Sequence, residues 1–176
     1  MQRRGVAILA AIVLVTGCGR GIDGTPVAGI PAEPWDPCTI PAQAIEATGL
    51  DPKVADHGWG AGISVPDWAR CTWKGPQLKP WYFFGVLFSQ VHTLDEVRDR
   101  PGNSGLADLR LADRDAILFF SNILDKDENC SAAFETKFGV AWLTVDAIGS
   151  TGPMGEPCTV LKDHVADLID HFPPPL

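Results

Sequence analysis

The chain has 176 residues, 45% of them apolar and 20% charged, with 14 Lys and Arg against 22 Asp and Glu for a net charge of −8. That length and apolar content make one domain with a core of its own and exclude a disordered protein. The acidic balance excludes a nucleic-acid binder, because a phosphate backbone calls for a basic face.

Arg3 and Arg4 precede ten consecutive apolar residues, Val6 to Val15. Ten residues make a helix ~15 Å long, half of a ~30 Å hydrocarbon core, so residues 1–17 read as a secretory signal and not as a membrane span. Val15-Thr16-Gly17-Cys18 closes the run. It resembles the bacterial lipobox, which implies a diacylglyceryl group on Cys18, cleavage before it, and a protein held on the outer face of the cell membrane. Loss of Arg3 and Arg4 leaves 12 basic residues against 22 acidic ones. Attachment then falls to the acyl chains, because such a surface repels anionic headgroups. Residues 18–34 carry Gly19, Gly21, Gly24, Pro26, Gly29, Pro31 and Pro34 and read as a flexible linker reaching ~20–25 Å. One extracytoplasmic domain over residues 35–172 follows, with a proline-rich tail at 173–176.

Within the domain, Thr39 as N-cap, Pro41 in the first turn and the shared face of Ile40, Ala44, Ile45 and Thr48 predict a helix from Thr39 to Thr48, ended by Gly49 and Pro52. Strands are predicted at Arg70 to Lys74 and at Trp81 to Ser89, the second apolar enough to be central. A short helix over Thr93 to Asp99 and a polar turn at Pro101 to Gly105 come next. Strands follow at Asp108 to Leu111, Ala116 to Asn122, Ser131 to Thr136 and Val140 to Ile148, the last two forming a hairpin through Lys137-Phe138-Gly139. Cys158, Leu161, Val165, Leu168, Ile169 and Phe172 lie on one stripe and predict an amphipathic helix over Cys158 to Phe172. The fold class is α+β: a mainly antiparallel sheet of five or six strands, with an N-terminal and a C-terminal helix packed on it.

Five cysteines are an awkward number outside the cytoplasm. Assigning Cys18 to lipid leaves Cys38, Cys71, Cys130 and Cys158. These permit three connectivities, of which local closure favours Cys38 with Cys71 and Cys130 with Cys158. A zinc site is the rival, and it lacks the C-x-x-C or H-x-x-x-H spacing it would need.

Asp36-Pro37-Cys38 before a short helix, Thr48-Gly49-Leu50 at its end, Cys71-Thr72-Trp73 opening the sheet and a late cysteine starting the C-terminal helix form an ordered set. From Trp35 to Phe172 the chain resembles the actinobacterial lipoprotein family of domain of unknown function 3558. The resemblance implies a lipid-anchored envelope protein with disulfides Cys38–Cys71 and Cys130–Cys158, and it implies no activity. The glycine- and tryptophan-rich insert before Cys71 departs from the family pattern.

Chemistry-bearing motifs are sparse. Asp125-Lys126-Asp127-Glu128-Asn129 begins like a calcium loop but has Cys130 at the glycine position and Thr136 where a bidentate Glu belongs. His164, Asp167 and His171 occupy neighbouring helical turns, with the histidines ~10 Å apart along the axis, too far to share one ion. His57 and His92 have no motif around them. No G-x-S-x-G elbow is present, and Gly58, Gly60 and Gly62 lead to a proline and not to a phosphate-binding helix. No catalytic residue, metal or cofactor is assigned.

The loop from His57 to Trp68 combines glycines with Trp59 and Trp68, the composition of a recognition loop or of a cover over the sheet edge. Trp59, Trp68, Trp81 and Tyr82 are the candidate binding residues. The reading favoured is a non-catalytic, monomeric binding module for an envelope molecule or small apolar ligand. The alternatives are an accessory protein docking on a membrane complex and, last, an enzyme. A concave site beside the tryptophans favours the first, a flat exposed patch the second.

Overall fold

The computed structural model describes residues 34–59, 63 and 65–176. The expected signal, the lipidation residue Cys18 and the linker through residue 33 lie outside the described residues, as do residues 60–62 and 64 of the tryptophan-bearing loop. No helix among the described residues is long and apolar enough to cross a membrane.

Seven strands form one sheet: β1 (Val54–His57), β2 (Ala69–Gly75), β3 (Tyr82–Ser89), β4 (Asn103–Leu111), β5 (Arg114–Ser121), β6 (Asn129–Thr136) and β7 (Gly139–Ala147). Their order is β1-β2-β3-β7-β6-β5-β4 and every pairing is antiparallel. After β3 the chain crosses to the far edge and returns as a β4-β5-β6-β7 meander, so β7 closes against β3 in the middle. β3 earns its central place through the apolar run read from the sequence, with all but one of its residues buried.

Among the described residues three α-helices accompany the sheet: α1 (Ala42–Ala47), α2 (Leu94–Arg98) and α3 (Pro157–Leu168). α3 buries Cys158, Leu161, His164, Val165 and Leu168 against β6 and β7. Glu156 caps it by accepting from the backbone N–H groups of Cys158 and Thr159, and Pro157 sits in its first turn, where no N–H is needed. α2 starts with the capping box of Thr93 and Glu96. On the α3 side the core joins Ile45 and Leu50 to Trp73, Phe84, Phe88, Phe134, Leu143 and Phe172. Trp35 packs on Phe88 at 5.2 Å and on Phe172 at 5.5 Å, fixing the entry of the chain on that side. Disulfides tie Cys38 to Cys71 and Cys130 to Cys158.

Several expectations are corrected. The sheet has seven strands and not five or six, because β1 carries one strong strand-former in four residues and joins the edge through backbone pairing to β2. β4 begins at Asn103, inside the stretch read as a polar turn; its register slips between Ser104 and Ala107, around Gly105 at φ 64°, so a bulge lies where turn residues were seen. The first helix is split: Asp36 caps a 3-10 turn at Pro37–Thr39, and Ile40, extended before Pro41, interrupts it before α1. α3 ends at Leu168 and passes into a 3-10 turn at Ile169–His171. Beyond residue 172, the Pro173 carbonyl accepts from Arg114 Nη1 at 2.7 Å and the Pro174 carbonyl from the Lys137 N–H at 3.0 Å, so part of the tail is packed against the domain.

A candidate ligand pocket on the open face of the sheet

The period of two along each strand sends one set of side chains toward α3 and the other to the opposite face. On that second face Ile117, Phe119, Ala133 and Val140 pack under Val97 of α2, with Trp68, Leu94 and Trp142 alongside. Beside this smaller cluster the face is hollow. A pocket of about 720 Å³ is lined by residues from β2 to β7, from α2 and from the two connections that overhang the sheet, within the size range of small-molecule sites.

Its floor follows from register. Arg70, Leu87 and Trp142 stand in one row across β2, β3 and β7, and Thr72, Gly85, Thr144 and Ser131 in the next. A Cβ at Gly85 would meet the Thr144 hydroxyl at 2.8 Å, so the glycine makes room for that side chain. Asp146 ends the β7 series and is half-buried. Burial raises its pKa above the ordinary carboxyl value, against the opposing pull of the Thr144 hydroxyl and the Arg70 charge.

Aromatic and guanidinium groups form the walls. Arg70 donates to the Gly58 carbonyl at 3.1 Å, reaches Asp56 at 3.5 Å and lies 5.3 Å from the centre of the Trp59 ring. Its carbonyl accepts from the Gly58 N–H at 3.0 Å, so β2 holds the start of the loop on which Trp59 rides. Across the pocket, Arg100 lies 5.3 Å from the centre of the Trp142 ring. Trp68 meets Trp142 edge-on at 6.0 Å and stacks on His92 at 5.2 Å and 15°. His92 Nδ1 donates to Glu96 at 3.0 Å. The backbone N–H of Thr93 and the imidazole of His92 together hold the Glu96 carboxyl below its ordinary pKa. Among the described residues the indole N–H groups of Trp59 and Trp142 are buried without an acceptor.

Of the four candidate binding residues, the structure brings Trp59 and Trp68 to this pocket and does not bring Trp81 and Tyr82 there. Trp81 is 6% exposed and Tyr82 5%, both in the core under α3. Residues the sequence reading missed are Arg70, Arg100, Thr144 and Asp146. Thr144 and Asp146 share β7, but Arg70 lies on β2 and Arg100 follows α2, and only the β2-β3-β7 pairing brings Arg70 alongside the β7 residues. Trp142 serves as a pocket wall while keeping an edge contact with Phe119 at 5.2 Å.

The motifs set aside in the sequence have structural uses. Asn129 is fully buried and spends its amide on backbone: it accepts from the Ser121 N–H and donates to the carbonyls of Ser121, Leu124 and Asp125. His164 is buried, 2.7 Å from the Tyr82 hydroxyl, whereas His171 is exposed beyond the end of α3. Asp36, Cys38 and His57 converge within 4.8 Å, but the Cys38 sulfur is bonded to Cys71 and has no thiolate to offer a metal.

The family described as "Protein of unknown function (DUF3558)" matches residues 13–171 of the chain. No curated protein and no solved structure matches it.

Proposed function

This chain belongs to the DUF3558 family, and on that premise we propose that it is a lipid-anchored protein of the outer face of the cell membrane, a non-catalytic module that holds a small envelope molecule on the open face of its sheet. The observation that carries the reading is the 720 Å³ hollow beside Trp59 and Trp68. Its concavity favours a small molecule over a docked protein, for which a flat patch is the expected form. Trp142, Leu87 and the tryptophans of the overhanging segment supply contact area, while Thr144, Ser131 and Asp146 supply hydrogen bonds at the floor. A site with this lining suits an amphipathic envelope molecule better than the small apolar ligand that was the other expectation from the sequence. The anchor reading is supported by Val15-Thr16-Gly17-Cys18, which falls inside the matched residues. The actinobacterial, lipoprotein character implied by the resemblance points the same way.

Native mass spectrometry of the purified domain, before and after organic extraction, tests the binding role. A mass adduct that extraction removes, and that Trp142→Ala abolishes while the far-ultraviolet circular dichroism is kept, is the expected result. A domain that carries no adduct, and acquires none from a total envelope lipid and metabolite extract, refutes it.

A further inference from the structure

Resting on the pocket reading above, we infer that the molecule held there is an anionic amphiphile, whose carboxylate or phosphate group sits against Arg100 and Trp142 and whose apolar body lies along Leu87 and Trp68 toward the mouth. The protein carries a net charge of −8, so its overall field disfavours an anion, and a site for one has to be built locally. Local charge is what the pocket provides. Of the five arginines among the described residues, Arg70, Arg98, Arg110 and Arg114 each have a carboxylate within 4.0 Å. Arg100 has none among the described residues, and its guanidinium is laid over the Trp142 ring at 5.3 Å. The Trp142 N–H beside it is buried with no acceptor among the described residues. A buried donor left unmet costs stability, and an incoming oxygen would satisfy it.

The two acidic groups of the lining do not cancel this corner. The Glu96 carboxylate is already engaged by the Thr93 N–H and His92. Asp146 lies four residues along β7 from Trp142, ~13 Å away at the rise of a strand. The apolar half of the ligand follows from the rest of the lining, where Val65, Trp68 and Leu87 offer apolar surface and Ile123, 91% exposed, adds a further hydrophobic side chain. Planar guanidinium suits a carboxylate or a phosphate equally, since both offer two oxygens to its fork.

The test uses two fluorescent probes of similar shape, anilinonaphthalene sulfonate and the uncharged N-phenylnaphthylamine, titrated into the whole domain. The anionic probe is expected to bind about tenfold more tightly than the neutral one. Arg100→Gln should remove that preference, weakening the neutral probe by a much smaller factor. Arg98→Gln removes the same charge from α2 outside the pocket and should change neither affinity. Octyl phosphate is expected to displace the bound probe where inorganic phosphate and octyl glucoside at equal concentration do not. Displacement by phosphatidylglycerol vesicles as well identifies a membrane lipid as the source, and displacement by octyl phosphate alone a soluble amphiphile. Equal binding of both probes, untouched by Arg100→Gln, overturns the anionic assignment and leaves the pocket reading standing. Displacement by inorganic phosphate as effective as by octyl phosphate overturns the amphiphile. Binding of neither probe overturns the pocket reading and this inference with it.

Discussion

His164 is an ionisable side chain placed where ionisation is costly. It is 5% exposed, faces Tyr82 and Phe84, and has a ring nitrogen, Nδ1, without a partner among the described residues. Burial pushes its pKa down from 6.5 to about 4, more than the Asp167 and Asp163 charges pull it up. The same apolar surroundings push the Tyr82 hydroxyl up to about 12, so at neutral pH the pair is uncharged on both sides. A histidine with a depressed folded pKa binds its proton more readily in the unfolded chain. Its contribution to stability is therefore complete above pH 6.5 and lost as the pH falls toward 4. At 1.36 kcal/mol per unit, the loss over that window is about 3 kcal/mol. Urea unfolding followed from pH 7 to pH 4 should show that fall in the wild type. In His164→Gln, which keeps polar atoms at the site but does not titrate, the fall should be missing. Parallel profiles in the two proteins would show that His164 does not set the acid limit. Glu156, held below its ordinary value by Thr159 and by the backbone N–H groups it caps against the opposing effect of burial, begins to lose its contribution only at the acid end of this window, and does so equally in both proteins.

The elements the sequence left short are the two edges of the sheet. β1 and β4 each have one neighbour, and half or more of their residues are exposed, so neither carries the apolar run that marks β3 or the alternation that marks β7. Hydrophobic pattern reports burial, and an edge strand held by backbone pairing writes little of it into its side chains. The β6–β7 turn was legible for the opposite reason. Gly139 has φ 143°, and a Cβ there would run into the Ser89 carbonyl, so a glycine is required where the sequence has one. The disulfides join elements that pairing alone leaves apart: Cys130 fixes β6 to the first turn of α3, and Cys38 fixes the entering chain to β2. With closed loops of 28 and 33 residues, the chain-entropy model assigns each about 3.5 kcal/mol. Cys130→Ala with Cys158→Ala should lower the unfolding free energy by that amount or slightly more, since both sulfurs are in the core. Cys38→Ala with Cys71→Ala should come close to the loop value alone, because Cys38 is only partly buried. A loss under about 1 kcal/mol in either would mean that the reduced unfolded chain keeps those residues near each other.

Seen whole, the domain has two unlike faces. α1 and α3 and the packed prolines close one of them, and the other is left to α2 and a tryptophan-bearing connection that cover it in part and leave the hollow. The class of fold was legible because the apolar run of β3, the alternation of β7 and the apolar stripe of α3 are each written in the residues. The pocket was legible only in Trp59 and Trp68, because its floor and its charges are scattered over four strands, α2 and the segment after it, and no local pattern encodes the order of those strands. Trp35, the start of the expected domain, packs into the α3 side. The chain leading back toward Cys18 therefore joins the domain on the face opposite the pocket. If Cys18 carries the acyl chains, anchorage and ligand binding are separable properties of one polypeptide. Cys18→Ser should lose palmitate labelling and pass from the membrane to the soluble fraction, while the purified variant binds anilinonaphthalene sulfonate within about twofold of the lipidated protein, since the chain enters the domain at Trp35 on the face opposite the site. Retention of label and membrane association would remove the lipid anchor from the account. A soluble variant with weakened probe binding would show instead that the acyl chains or the membrane surface help to form the site.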